Sequence, residues 1–281
     1  MSLPVVGLLA GVFGLSFGGF RSLQRGFEAD IENRLNGPHK TITVRTKLDL
    51  GALNYDIQSV RIAGKHFSTD ELPFFTEPDR PKDGRVRTLR ISLSDFTIAG
   101  LHAEALDATI PDCRFDLDMA VRHRKIRLSA SGIGLGSVTV SEEDLRQFLL
   151  KKYPQIHELT VSLSHGRAVV RGRGQLMMFE TSFFIDARLI VVDGVRLMID
   201  DPRITLGGTQ TEDHTAQAIV NIFNPVLDLD KDLKMHGAMH IETLTVDGGT
   251  MVARGAAIIP ERSKVTDTEP AIAPARPYRQ P

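Results

Sequence analysis

Apolar and polar residues alternate with a period of two over most of residues 40–259, the pattern of strands that turn one face to a core. One unit of this pattern occurs twice. Val161-Ser162-Leu163-Ser164-His165-Gly166-Arg167-Ala168-Val169-Val170-Arg171-Gly172 returns as Leu244-Thr245-Val246-Asp247-Gly248-Gly249-Thr250-Met251-Val252-Ala253-Arg254-Gly255. Strand, tight glycine turn, strand and closing glycine are the short-range signature of a β-hairpin. Looser copies centre on Asp193-Gly194 and on residues 91–100, while residues 40–50 and 56–64 read as further half-buried strands. Residues 85–110 and 114–140 predict several long strands. The fold class expected is α+β: a large, twisted antiparallel sheet built from successive hairpins, curved around or packed on helices. Pro73, Pro78, Pro81 and Asp83-Gly84 place a loop over residues 65–84, with Leu72, Phe74 and Phe75 as an apolar plug.

The period changes to that of a helix in three places. Phe20, Leu23, Phe27, Ile31 and Leu35 recur every three or four residues, with charged residues between them, and Asn36-Gly37-Pro38 ends the run. This predicts a long N-terminal helix. Ser141-Glu142-Glu143-Asp144 is a capped helix start with acids in its first turn, Leu145, Phe148 and Leu149 form the apolar face, and Pro154 stops it. A third helix is expected over residues 213–224, with Ala216, Ile219, Val220 and Phe223 on one side. These stripes are first of all core-packing faces. The same residue types would line an acyl-chain groove, which makes Phe27, Ile31, Leu145, Phe148, Leu149, Ile219, Val220 and Phe223 the candidate lipid-binding residues.

Residues 3–20 carry no charge and as a helix would span about 27 Å, close to a hydrocarbon core. Leu8, Leu9, Val12, Phe13, Leu15 and Phe17 would be the membrane-facing side chains of this segment. It has no basic leader and no Ala-x-Ala site, so an uncleaved anchor or poorly cleaved signal fits it best. At the other end, residues 261–281 are rich in proline and poor in apolar residues, and are expected to be disordered. The organisation expected is therefore an anchor over residues 1–20, one β-rich domain over 21–260 and a tail over 261–281.

Charge removes one class of function. With 34 Lys and Arg against 35 Asp and Glu, the net charge of −1 offers no basic surplus for nucleic acid. Arg122, Arg124, Lys125 and Arg127 cluster, which on a strand reads first as a solvated edge, with anionic headgroup contact as the other reading. The single cysteine, Cys113, allows no disulfide framework and reads as a buried small hydrophobe. His236 and His240 on a strand would stand roughly 13 Å apart, too far to share a metal. Asp228-Leu229-Asp230-Lys231-Asp232 opens like a calcium loop, but Leu233 and Met239 occupy the positions that need Gly and Glu. Gly132, Gly134 and Gly136 lack the spacing of a dinucleotide loop, and no Gly-x-Ser-x-Gly element occurs. No metal, cofactor or catalytic residue is expected, and the reading is non-enzymatic.

Taken in order, Val140-Ser141-Glu142-Glu143-Asp144-Leu145, Val169-Val170-Arg171-Gly172, Val191-Val192-Asp193-Gly194-Val195-Arg196-Leu197, Asn224-Pro225 and the run from Leu244 to Gly255 resemble the LmeA-like phospholipid-binding family of bacterial envelope proteins. The resemblance covers most of residues 31–259. It implies a β-rich lipid-binding fold related to the tubular lipid-binding proteins, in which a curved sheet wraps a long helix. Phospholipid or another acyl lipid is then the expected partner, a membrane the expected neighbour through the N-terminus, and the envelope, periplasm-facing, the expected location. Arg21 and Arg25 follow the apolar run, which by the positive-inside rule holds the body in the cytoplasm, opposite to export. The other reading of the same pattern is a structural or scaffolding envelope protein whose core is filled by its own side chains.

Overall fold

The computed structural model describes residues 18–47, 56–72, 75–176 and 179–260. The expected anchor side chains from Leu8 to Phe17, Phe74 and the tail over residues 261–281 lie outside these. In chain order the elements are α1 (Gly18–Glu32), β1 (Thr41–Lys47), β2 (Asp56–Thr69), β3 (Gly84–Ile98), β4 (Leu101–Phe115), α2 (Leu117–Val121), β5 (Leu128–Ala130) and β6 (Gly134–Ser141). They continue as α3 (Glu142–Lys152), β7 (Ile156–Ser164), β8 (Arg167–Leu176), β9 (Phe179–Val192), β10 (Arg196–Leu206) and β11 (Thr209–Gln210). The last are α4 (Asp213–Phe223), β12 (Leu227–Asp228), β13 (Met239–Asp247) and β14 (Thr250–Ala257).

The strands form two sheets rather than the one that the alternation predicts. The first runs β1-β2-β3-β4-β6-β14-β13 with β5 beside β4, and the second runs β11-β10-β9-β8-β7 with β12 beside β10. All pairs are antiparallel except one: β2 and β3 are parallel, with Ile62 opposite Ile91. A hairpin needs a short connection, whereas residues 70–83 are long enough to carry the chain back to the starting end of β2. Residues 114–140 also differ from expectation. Asp116 caps α2 through its carboxylate, which accepts from Met119 N, and only the three-residue β5 precedes β6. The described N-terminal helix is 15 residues long, and it lies beside edge strand β1.

The two copies of the repeated unit are the hairpins β7–β8 and β13–β14, one in each sheet, and their tips meet. Gly166 N donates to Val246 O at 2.8 Å, His165 N to Asp247 Oδ1 at 3.1 Å and Gly249 N to Leu163 O at 2.9 Å. Farther along β13, Ile241 N donates to Gly194 O at 2.7 Å. So β13 crosses the turn ends of the second sheet. The closing glycines have a shared reason as well. At Gly255 a Cβ would lie 2.0 Å from His240 O, and at Gly172 it would lie 2.4 Å from the Phe183 ring and 2.7 Å from Glu158 O. Each repeat thus ends where neighbouring atoms approach too closely for a side chain.

Both sheets turn their apolar faces into one core, to which α1 adds Phe27 and Ile31, α3 adds Leu145, Phe148 and Leu149, and α4 adds Ile219, Val220 and Phe223. The sequence places Arg127 in a solvated basic cluster, but its side chain is only 2% exposed. Its guanidinium makes a two-pronged bond to Asp30 of α1, at 2.5 and 3.0 Å, and donates to Ile126 O at 2.7 Å. Arg127 Nε also lies 2.6 Å from Glu77 Oε1, a close charge contact without hydrogen-bond alignment. Burial works against the Arg127 charge, but the bond to Asp30 and the charges of Asp30 and Glu77 outweigh it and lift its pKa above the ordinary guanidinium value. The cluster ties α1 and the loop before β3 to β5.

Removing one partner strands a buried charge, so Asp30→Ala should lower stability by about 3–5 kcal/mol. Urea unfolding followed by circular dichroism reads this as a lower midpoint, and adding Arg127→Met should recover part of the loss.

Candidate functional site

Three apolar voids lie along the core. Counted as the space open to the centre of a water molecule, they measure about 50, 60 and 50 Å³. The first sits between the first sheet and residues 226–238, walled by Leu106, Val138, Val140, Leu197, Leu227 and Met239 among others. The second adjoins it, sharing Leu72, Leu106, Val138, Met235 and Met239, and its wall includes the polar residues Asp107 and Ser137. The third lies under the second sheet, between α3 and α4, walled by Leu145, Leu149, Phe183, Ile185, Phe223 and Val226. Val226 faces the third void and Leu227 the first, so the voids flank a single segment.

The first and third voids offer water almost no polar surface, and a void without polar partners for water stays dry. Each of the three is also smaller than a whole acyl chain, so full occupancy requires the wall to part. The wall of the first void contains Met235, Met239 and Met251, whose unbranched thioether side chains change rotamer at little cost.

The eight candidate residues are all buried. Leu145, Leu149 and Phe223 are brought together on the third void. Phe148, Ile219 and Val220 pack in the core from the same two helices, away from the void walls. Phe27 and Ile31 belong to α1 beside β1 and line none of the three. Sequence reasoning missed the lining that strands and loops supply: Leu72, Leu106, Val138 and the three methionines. The inward phase of the alternation in β4, β6 and β13 is the signal that marks several of these positions.

The segment over residues 226–238 is held from below by Lys152, the last residue of α3. Its ammonium donates to Pro225 O at 3.2 Å, Val226 O at 3.1 Å and Asp232 Oδ2 at 2.6 Å. The acids that imitate a calcium loop are occupied internally. Asp228 Oδ1 accepts from the backbone of Asp230 and Lys231, and Asp230 Oδ1 accepts from Gly237 N. No cluster of ligands fit for a metal occurs among the described residues. Burial, and secondarily the charge of Asp232, pushes the Tyr153 hydroxyl up to about 12, so it stays a neutral donor to Phe223 O at 3.2 Å. Burial likewise pushes the Cys113 thiol up to about 12, which leaves it an inert core group.

A polar ladder crosses the outside of the first sheet. His66 Nδ1 pairs with Asp95 Oδ2 at 2.5 Å, Asp95 Oδ1 with His102 Nε2 at 2.8 Å, and His102 Nδ1 with Asp144 Oδ1 at 2.7 Å. Asp144 and Ser141 form the capping box of α3, as the sequence predicts. The ladder therefore pins the start of α3 to β2, β3 and β4. Desolvation disfavours the His102 cation, but its bond to Asp95 and the charge of Asp144 prevail and raise its pKa.

Two expectations follow. Lys152→Ala leaves three acceptors without their cation and should cost about 2–3 kcal/mol, with hydrogen exchange rising over residues 226–238 and not over β3–β4. The raised pKa of His102 means that its protonated form stabilises the native state below the ordinary histidine range and that this contribution is lost as pH rises through the folded value. Melting temperature should fall as pH rises from about 6 upward, and His102→Gln should flatten that slope.

No curated protein and no solved structure matches the chain. No helix among the described residues is long and apolar enough to cross a membrane. One family model, described as LmeA-like phospholipid-binding, matches residues 82–256, from just before β3 to the last residue but one of β14, and so covers most of the walls of the three voids. That span is more than half of the sequence, and the chain belongs to the LmeA-like phospholipid-binding family.

Proposed function

We propose that this protein is a membrane-anchored phospholipid-binding protein of the bacterial cell envelope that holds and carries acyl chains in the apolar seam between its sheets and helices, without catalysis. One observation carries the reading: the voids lie on both sides of a single segment, in walls that are almost wholly apolar and mostly within the region that matches the family. Each methylene buried in such a seam is worth about 0.8 kcal/mol against water, but a lipid in a bilayer already has that burial. The seam has only to match the bilayer, so exchange is close to neutral, which suits carriage. The uncharged run over residues 3–20 supports a membrane anchor, and export of the family supports a periplasm-facing body.

The small volume of the voids favours a second reading, an envelope scaffold whose core is filled by its own side chains. Full-length protein purified from cells and analysed by mass spectrometry of extracted lipids separates the two. The carrier yields stoichiometric phospholipid; clean spectra leave only the scaffold. Filling the first void with Ala253→Leu and Val138→Phe should lower lipid occupancy at least about twofold while unfolding stays cooperative.

A further inference from the structure

Arg122, Arg124, Lys125 and Arg127 stand together in the sequence, and the fold separates them. Arg127 turns into the core, while residues 121–125 are all exposed, Val121 by 60%. Arg122 pairs with Asp118 at 3.0 Å. Among the described residues Arg124 and Lys125 have no carboxylate partner. From residue 118 to 125 there are three Arg and Lys side chains, one of them paired, and one carboxylate, Asp118.

The position of this loop gives the charge a use. Gly84 opposite Phe115 and Asp56 opposite Arg85 place the starts of β2 and β3 and the finish of β4 at one end of the first sheet, where α2 and the loop follow. The first half of α1 is there too: Gln24 Nε2 donates to Thr46 Oγ1 at 2.9 Å, and Thr46 lies opposite Val60 near the start of β2. A Cβ on Gly26 would lie 2.4 Å from Arg124 Cβ, so helix and loop touch. The uncharged run over residues 3–20 leads directly into this helix. Of the three carboxylates of α1, Glu28 accepts from Val44 N at 2.8 Å and Asp30 holds Arg127, so in the half of the helix beside the loop the exposed charge is Arg25, while exposed Glu32 lies at the far end.

We propose that loop 121–125 is a membrane-contact site, in which Arg122, Arg124 and Lys125 meet anionic phospholipid headgroups and Val121 dips into the interface, seating this end of the first sheet on the bilayer beside the first half of α1. The proposal rests on the membrane-anchored reading above and adds the surface and the lipid charge that it selects. Long cationic side chains reach headgroup phosphates while their stems lie along the apolar boundary, and one aliphatic side chain among them adds hydrophobic grip.

The test uses the full chain with Val121→Cys carrying an environment-sensitive fluorophore; Cys113 is fully buried and does not compete for the label. Vesicles containing phosphatidylglycerol should shift the emission to the blue, pure phosphatidylcholine vesicles should not, and high salt should reverse the shift. Each cation near the surface contributes roughly fivefold to partitioning, so Arg124→Glu with Lys125→Glu should weaken the response at least about 25-fold. An equal response to both vesicle types, or one that survives the double charge reversal, overturns the proposal. Co-purified lipid measured on the same proteins keeps the two readings apart. Absence of the fluorescence response from the unreversed protein with cargo retained sinks the contact site alone, and loss of cargo with that response intact sinks the carrier alone.

Discussion

The fold depends on the backbone hydrogen bonds that join β13 to the turns of the other sheet. Each sheet has an apolar face too large for three short helices and one helical turn to cover, and neither continues into the other as a ladder. The bonds from Gly166 and Gly249 at the tips, and from Ile241 to Gly194, fix the angle at which the two faces close on each other. With that angle set, the cover is incomplete, and the remaining gaps are the three voids. Residues 226–238 act as a wedge between the faces, and Lys152 fixes the wedge to the end of α3. The same helix is held at its start by the polar ladder from His66 to Asp144, so both of its ends answer to groups outside it.

Legibility followed the range of the interaction. The hairpins at His165-Gly166, Asp193-Gly194 and Gly248-Gly249 were readable because turn chemistry and alternation are local, and the capping box of α3 was readable for the same reason. The parallel pairing of β2 with β3 was not, because alternation assigns a face and is silent about the neighbour. Nor was the division into two sheets, since the repeated unit looks the same in either. Arg127 was misplaced because a strand edge and a buried ion cluster share one local pattern; what decides is Asp30, 97 positions away. The site divided along the same line. Leu145, Leu149 and Phe223 came from helix periodicity, while Leu72 and Met235 lie in loops where no period exists to mark them.

Family membership and geometry meet over a limited stretch. The matched region holds both repeated hairpins, the Lys152 wedge and most of the walls of the three voids, and lies after α1 with its ion partner Asp30. The matched part is thus the apolar seam, to which α1 is joined through one charged cluster.

Three thioethers around the first void also bear on what the molecule is able to tell apart. Met235, Met239 and Met251 give that wall no fixed outline, and no hydrogen-bond donor faces inward among them. Under the carrier reading, a lining of this sort would register that a tail is greasy and ignore its double bonds. Discrimination between one lipid species and another would then fall to the polar end of the molecule, outside the seam.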